Sequence, residues 1–370
     1  MGERAAPLVL LAAGGTGGHL FPAEALAVAL KRRGAIVDLA TDERATRYGS
    51  AFPARTTHVI PSATIRGRDP LSLLKTGGVL AIGVAKAMLL LGRIRPVAVV
   101  GFGGYPTLPP LLAASFRRIP TVIHDANAVM GRANRMLSSR VTAIATSFAG
   151  MTLDAALATK ATTTGNPVRP MVTAAAAQPY PAREAAGPFN LLVTGGSQGA
   201  RVMADIVPPA VEAMAPELRA RLNIVQQARG EDEQRVAAAY ARLGVKSEVA
   251  PFFSDLPARI AAAHLIVSRS GASTVAELAA IGRPSILVSL PHALDQDQLA
   301  NANVLAGSGG AIVLRQEDFT PERLAREIAA LAADPGTLSA MAAGAKSAGV
   351  LDAADRLADL VLRVANVVPR

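Results

Sequence analysis

Residues Leu8–His19 read LVLLAAGGTGGH, an apolar run that breaks into glycines and ends on an imidazole. Unbroken apolar residues that meet a glycine cluster describe a buried β-strand running into a tight turn, and the apolar periodicity after Leu20 describes a helix. A strand, glycine turn and helix aim backbone N–H groups and the positive helix end at one point, a geometry that holds phosphate without dedicated basic side chains. The same device returns at Leu191–Arg201, LLVTGGSQGAR.

Around these two openings, strand-like apolar runs recur. In the first half they are Leu8–Ala12, Ile36–Ala40, Val97–Gly101, Thr121–His124 and Val141–Ala145. In the second they are Leu191–Thr194, Leu222–Gln226, Leu265–Ser268, Ile286–Ser289 and Ala311–Leu314, with helical stretches throughout. Such alternation argues for parallel sheets covered on both faces. The expected architecture is α/β, with two Rossmann-like parallel-sheet domains facing a central cleft. Residues 1–168 form the first domain and 169–350 the second. Gly165–Arg169 (GNPVR) and the Ala/Pro-rich run to Pro188 read as the connection, and the last helical stretch, within 351–370, is free to pack back on the first domain.

Composition agrees. A chain of 370 residues exceeds one ordinary core, and 51% apolar against 18% charged residues excludes a disordered chain. The absence of cysteine excludes disulfide scaffolds and thiolate chemistry and fits a reducing compartment. Glu3 and Arg4 give the start no basic excess, so the first apolar run reads as a strand, not a signal peptide, and a cytoplasmic chain is expected. A net charge of +10 favours phosphate-bearing partners: nucleic acid, anionic lipid or a diphosphate substrate. With no Trp, 4 Tyr and 9 Phe there is little for base stacking, so no nucleic acid partner is expected.

Neither glycine turn fits the commoner nucleotide motifs. The dinucleotide pattern counted from Gly15 and Gly17 needs glycine where Leu20 stands, although Asp38 keeps a plausible distance for a ribose contact. Gly17-Gly18-His19 and Gly199-Ala200-Arg201 both lack the P-loop Gly-Lys-Ser/Thr. His19, at the mouth of the first helix, suits a general base or an anion contact, against the plainer reading of a structural histidine.

Seven segments in order bring these signals together: Gly14–Pro22 (GGTGGHLFP), Gly101–Pro106 (GFGGYP), His124–Asn134 (HDANAVMGRAN), Gly165–Arg169 (GNPVR), Gly195–Arg201 (GGSQGAR), Ser268–Glu277 (SRSGASTVAE) and Pro291–Ala302 (PHALDQDQLANA). As a set covering nearly the whole chain they resemble the MurG family, the bacterial N-acetylglucosaminyltransferases of glycosyltransferase family 28 that make lipid II. The resemblance implies a GT-B fold, with acceptor mainly in the N-terminal half and UDP-sugar mainly in the C-terminal half. It implies inverting transfer of N-acetylglucosamine from UDP-GlcNAc to the muramic C4 hydroxyl of undecaprenyl-diphospho-MurNAc-pentapeptide (lipid I). It implies that Thr16, Gly17, Gly18, His19 and Asn127 line the site near acceptor and sugar; inversion needs a base for the attacking hydroxyl, and His19 is the expected catalytic residue for it. Arg169, Ser197 and Gln198 would meet the donor diphosphate, and the backbone of Phe253 would meet uracil. Ala272, Ser273 and Thr274 would face sugar and phosphate from a helix N-terminus, Glu277 would bind the ribose, and Gln298 the sugar hydroxyls. The chain departs from the family at Asp125-Ala126, where Glu-Gln is usual, and at Asp297, where His or Gln is usual.

Bland readings stand beside several of these. Thr274 and Glu277 have capping-box spacing, Arg169 could be a solvated linker charge, and His124 could be a core residue. Asp295-Gln296-Asp297 has the form of a DxD metal motif, but two acids in a helix's first turn explain it, and helix N-termini with a glycine turn already suit a diphosphate, so no cofactor and no metal are expected. The stretch from Thr64 to Pro96 concentrates apolar residues at Val79–Leu91 among Arg66, Arg68, Lys75, Lys86, Arg93 and Arg95. It is short for a membrane span and suits a helix lying on an anionic surface, or one buried against the sheet. The expected location is therefore peripheral, on the cytoplasmic face of the inner membrane, with cell-wall assembly proteins as further partners. Competing readings are a non-hydrolysing UDP-GlcNAc 2-epimerase, a transferase for another lipid, and a non-catalytic nucleotide-sugar-binding module.

Overall fold

The computed structural model describes residues 6–14, 16–43, 52–63, 70–196, 199–291 and 296–367, with backbone alone for 70–73. The chain divides into two compact units, Met1–Arg169 together with Leu351–Arg370, and Pro170–Val350.

In the first unit β1 (Leu8–Ala12), β2 (Ile36–Thr41), β3 (Thr57–Val59), β4 (Ala98–Gly101), β5 (Thr121–Asp125), β6 (Ala143–Thr146) and β7 (Ala161–Thr163) form one sheet in the order β3-β2-β1-β4-β5-β6-β7. In the second, β8 (Phe189–Thr194), β9 (Leu222–Gln227), β10 (Lys246–Ala250), β11 (Leu265–Arg269), β12 (Ser285–Ser289) and β13 (Ala311–Arg315) run β10-β9-β8-β11-β12-β13. Neighbouring strands pair in parallel, as in β1 with β4 and β8 with β11. Each sheet therefore winds outward from its first strand and reverses beside it, the doubly wound order whose ligands bind beyond the strand carboxyl ends at the reversal. Both glycine turns leave from that point.

All ten apolar runs are strands. The additional strands β3, β7 and β10 carry THV, ATT and KSEVA and have few buried positions. They lie at sheet edges, where one flank has no strand to cover it and an apolar run is not required.

The helix Ala353–Val364 packs within the first unit on the helix Gly17–Arg32, burying Leu357, Leu360 and Val361. At the rim Arg33 bonds Asp355 at 2.6 Å and Asp359 at 2.9 Å. The helix over the basic apolar stretch is longer than its Val79–Leu91 core suggests, running Pro70–Ile94. Leu74–Ile94 is long and apolar enough to cross a membrane by length and composition. One flank nonetheless belongs to the first unit's core, through Ala87, Leu90 and Leu91. A Cβ at Gly83 would stand 2.2 Å from the Pro61 carbonyl oxygen, so that loop and the helix backbone touch.

Candidate active site

In the first unit β1 ends in Gly14, and Thr16 in extended conformation precedes the helix Gly17–Arg32. The Thr16 carbonyl accepts the His19 and Leu20 amides at 3.0 Å, starting the helix. The amides of such a first turn have no intrahelical partner and face outward. β4 leads into Phe102-Gly103-Gly104, where Gly103 and Gly104 take φ of +85° and +75°. A Cβ at either would lie 3.3 Å from the His19 ring, and one at Gly14 would lie 3.5 Å from it. Three glycines from two strand ends therefore wall a half-buried imidazole. The motif at Gly101–Pro106 was visible in the sequence, but its role as a histidine cradle was not.

β5 delivers the next loop. Asp125 is buried and accepts from the Asn127 amide at 3.1 Å, the Gly131 amide at 2.8 Å and Asn134 Nδ2 at 2.9 Å. Its carboxylate is a loop-former, and it sets the backbone that presents the half-buried Asn127. His124 is fully buried, as the core reading has it, with Nε2 3.2 Å from the Gly165 carbonyl and 3.3 Å from Ser147 Oγ. Burial lowers its pKa to about 4, the Gly165 bond opposing and the neighbouring His19 reinforcing the shift. It is a neutral core residue.

Asp38 is not available to a ribose. It is fully buried and holds Arg55 through two bonds, at 2.9 and 2.8 Å, and His58 at 3.0 Å. Burial raises the Asp38 pKa, but the bonds to Arg55 and His58 outweigh it and the net shift is downward. The dinucleotide reading fails here.

Arg169, expected at the start of the second half, groups with the first unit. Its guanidinium lies 3.9 Å above the Phe21 ring. Glu24 is raised in pKa by burial, with Arg169 pulling it back down. The solvated-linker reading of Arg169 does not hold.

In the second unit the turn after β8 is tighter still. A Cβ at Gly195 would stand 2.1 Å from the Ala200 amide, and Gly196 and Gly199 adopt φ of +81° and +67°. Ser197 and Gln198 lie outside the described residues, as do Gly15, Arg66, Arg68 and Asp295. Across the reversal, β11 ends in Ser270-Gly271, and Gly271 caps the helix Ala272–Ile281. Thr274 is thus inside the helix, and the capping-box reading of Thr274 and Glu277 falls. Ala272, Ser273 and Thr274 form its first turn, with Glu277 buried one turn on. The buried hydroxyls of Ser270 and Ser273 have no hydrogen-bond partner among the described residues. Two unspent hydroxyls at a positive helix end are what an anionic or polyhydroxyl ligand would meet. Ser270 was not singled out in the sequence.

Two further loops complete this face. After β12, Gln298 in the first turn of the helix Asp297–Gly307 accepts the Leu290 amide through Oε1 at 3.2 Å. Asp297 Oδ1 accepts the Gln298 amide at 2.9 Å, the first-turn role its position predicts. After β10, Phe253 is buried beneath the Arg259 guanidinium, 4.3 Å from its ring centre. No cluster of three His, Cys, Asp or Glu with metal-holding geometry occurs among the described residues.

Two doubly wound units, each with a glycine turn at its reversal, define the GT-B class of glycosyltransferase. The chain matches the glycosyltransferase family 28 N-terminal domain over residues 9–146 and the family's C-terminal domain over residues 190–357, and it belongs to that family. It is 64% identical over 363 residues, 98% of this chain and 97% of the relative, to the UDP-N-acetylglucosamine–N-acetylmuramyl-(pentapeptide) pyrophosphoryl-undecaprenol N-acetylglucosamine transferase of Rhodopseudomonas palustris strain BisA53. Among solved structures it is similar to Acinetobacter baumannii MurG, with TM-score 0.78 and 30% identity over 96% of this chain and 99% of that one. A Listeria monocytogenes protein described as a UDP-N-acetylglucosamine 2-epimerase aligns with TM-score 0.69 at 13% identity, covering 97% of this chain and 96% of that one, which is likeness of fold alone.

Proposed function

We propose that the chain transfers N-acetylglucosamine from UDP-GlcNAc to the muramic C4 hydroxyl of undecaprenyl-diphospho-MurNAc-pentapeptide, with inversion, forming lipid II for peptidoglycan synthesis. The observation that carries this reading is identity of 64% across 98% of the chain to a transferase named for that reaction, on a fold with a glycine turn at each reversal.

The chemistry divides between the units. In the first, His19, walled by Gly14, Gly103 and Gly104, takes the proton of the attacking hydroxyl, with Thr16, Gly17, Gly18 and Asn127 lining the acceptor. In the second, charge develops on the β-phosphate as the bond to UDP breaks. The turn Gly195–Gly199 with Ser197 and Gln198, and the first turn at Ala272, Ser273 and Thr274, stabilise it. Arg169 adds a positive charge toward the diphosphate from the connection. Glu277 takes the ribose hydroxyls, the Phe253 backbone the uracil edge, and Gln298 the sugar, with its amide Nε2 turned from the Leu290 contact. Aimed amides do the work that a metal would do at the diphosphate, so we propose that no metal is required.

The acceptor is lipid-linked, and the first unit has a surface suited to it. The flank of the helix Pro70–Ile94 opposite its core exposes Leu74, Ile82 and Leu89, the last at 77%, between Lys75, Lys86 and Arg93. Phe116, 60% exposed, and Arg117 and Arg118 extend it from the neighbouring helix, Arg117 reaching the Met88 carbonyl. An apolar strip ringed by cations matches an anionic headgroup layer, and the proposed location is the cytoplasmic face of the inner membrane, held peripherally. Cell-wall assembly proteins are proposed as further partners.

Incubation with radiolabelled UDP-GlcNAc and lipid I should place label in an extractable lipid, with most of the rate surviving chelator. Epimerised sugar from donor alone, without lipid labelling, would instead establish the epimerase reading. Strict dependence on Mn²⁺ or Mg²⁺ would restore a metal role for Asp297.

A further inference from the structure

β9 ends in Gln226-Gln227, and neither residue belongs to the motifs that marked the site. Gln227 is buried, and its side-chain amide bridges two loops. Oε1 accepts from Thr194 Oγ1 at 2.8 Å and from the Gly195 amide at 3.1 Å, while Nε2 donates to the Pro251 carbonyl at 3.2 Å. Thr194 Oγ1 in turn accepts the Gly196 amide at 3.3 Å, so the link reaches the residue at which the turn adopts positive φ. The amide has one workable orientation. Flipped, it would set an NH₂ against two donors and an oxygen against a carbonyl.

We infer that Gln227 is a positioning residue for the donor nucleotide, holding the diphosphate turn Thr194–Gly196 at a set distance from the Pro251–Phe253 segment. This rests on the proposed donor reading, in which the turn takes the diphosphate and the Phe253 backbone the uracil. A nucleoside diphosphate touches both segments at once, so a change in their spacing costs affinity that neither segment alone would lose. Gln227 reaches the ligand only through these segments and has no place in the proton transfer.

Two replacements test it. Gln227→Glu keeps the shape and both accepting contacts but turns an oxygen toward the Pro251 carbonyl. Gln227→Leu removes all three bonds. Both variants should raise the KM for UDP-GlcNAc and the Kd of UDP by about tenfold, with the acceptor KM within about twofold of the parent. Thr194→Val breaks the same relay one atom earlier, so the Thr194→Val/Gln227→Glu double variant should bind UDP no more weakly than the worse single variant. Parent-like UDP binding in both Gln227 variants, a loss confined to kcat, or full additivity in the double variant would each overturn the inference. Failure of the parent protein to bind UDP would remove the donor reading itself, and this inference with it.

Discussion

His19 shows what a single residue owes to its surroundings. The imidazole is walled by glycines at 14, 103 and 104, where any side chain would come within 3.3–3.5 Å of the ring, so shape fixes where the ring sits. Replacing His19 by Ala should lower kcat by about 10²- to 10⁴-fold, the range for a positioned general base, and leave the KM for UDP-GlcNAc nearly unchanged. Steady-state kinetics at saturating acceptor would show it, and near-normal turnover would remove His19 from the mechanism. Glu277 is the converse case, a buried carboxylate one turn inside a helix that Gly271 starts. Glu277→Gln should raise the donor KM by about tenfold through loss of a charge-assisted bond to the ribose, while the affinity for acceptor holds. Donor KM within twofold of the parent would leave Glu277 a structural residue.

Among elements, the helix Pro70–Ile94 is divided along its length. Ala87, Leu90 and Leu91 belong to the first unit's core, and the opposite flank shows apolar side chains and cations to solvent. Glutamate at Ile82 and Leu89 lies off the core flank, so the double variant should fold and turn over a short-chain soluble acceptor at the parent rate. Its sedimentation with vesicles containing anionic lipid should fall severalfold, and added salt should weaken parental binding through screening. Equal sedimentation of variant and parent would place the membrane contact elsewhere. The helix Ala272–Ile281 is secured at its C-terminal end. Arg283, fully buried, donates to the carbonyls of Ala261, Ile281, Gly282, Gln178 and Pro179, and Lys346 to those of Ala176 and Ala280. Cations at converging helix C-termini satisfy orphan carbonyls and complement the dipole whose positive end faces the site.

Acid should weaken both units of the whole molecule by one mechanism. His124 in the first unit is lowered to about 4 from 6.5, and His264 in the second is lowered too, by burial first and by Arg183 second. His264 Nδ1 accepts the Asn190 amide at 2.8 Å, a bond that requires the unprotonated nitrogen. The unfolded chain binds protons at these sites from about pH 6.5 downward while the folded chain resists, so stability present above 6.5 is lost as pH falls toward 4. Asp38, Asp255 and Asp355 are also lowered, from 3.8, so their stabilisation is lost only below that window. Thermal melts should therefore show Tm falling between pH 6.5 and 4, with a shallower fall in a His124→Gln/His264→Gln variant. An unchanged slope would assign acid lability to other groups.

The sequence by itself determined the strand plan and the two glycine turns, because strands buried on both faces must be continuously apolar and because such turns admit little but glycine. It also carried the family, through seven short segments in order. It was silent on β3, β7 and β10, whose edge positions demand no apolar run, and it put Arg169 in the second half, where the structure groups it with the first unit. The pairing of His19 with Gly103-Gly104, and of Gln227 with Gly195 and Pro251, was decided only by tertiary structure. These partners are far apart in the chain: His19 meets Gly103-Gly104 because β4 lies beside β1 at the sheet's reversal, and Gln227 meets Gly195 and Pro251 because β9 lies between β8 and β10, and no local pattern encodes which strands become neighbours.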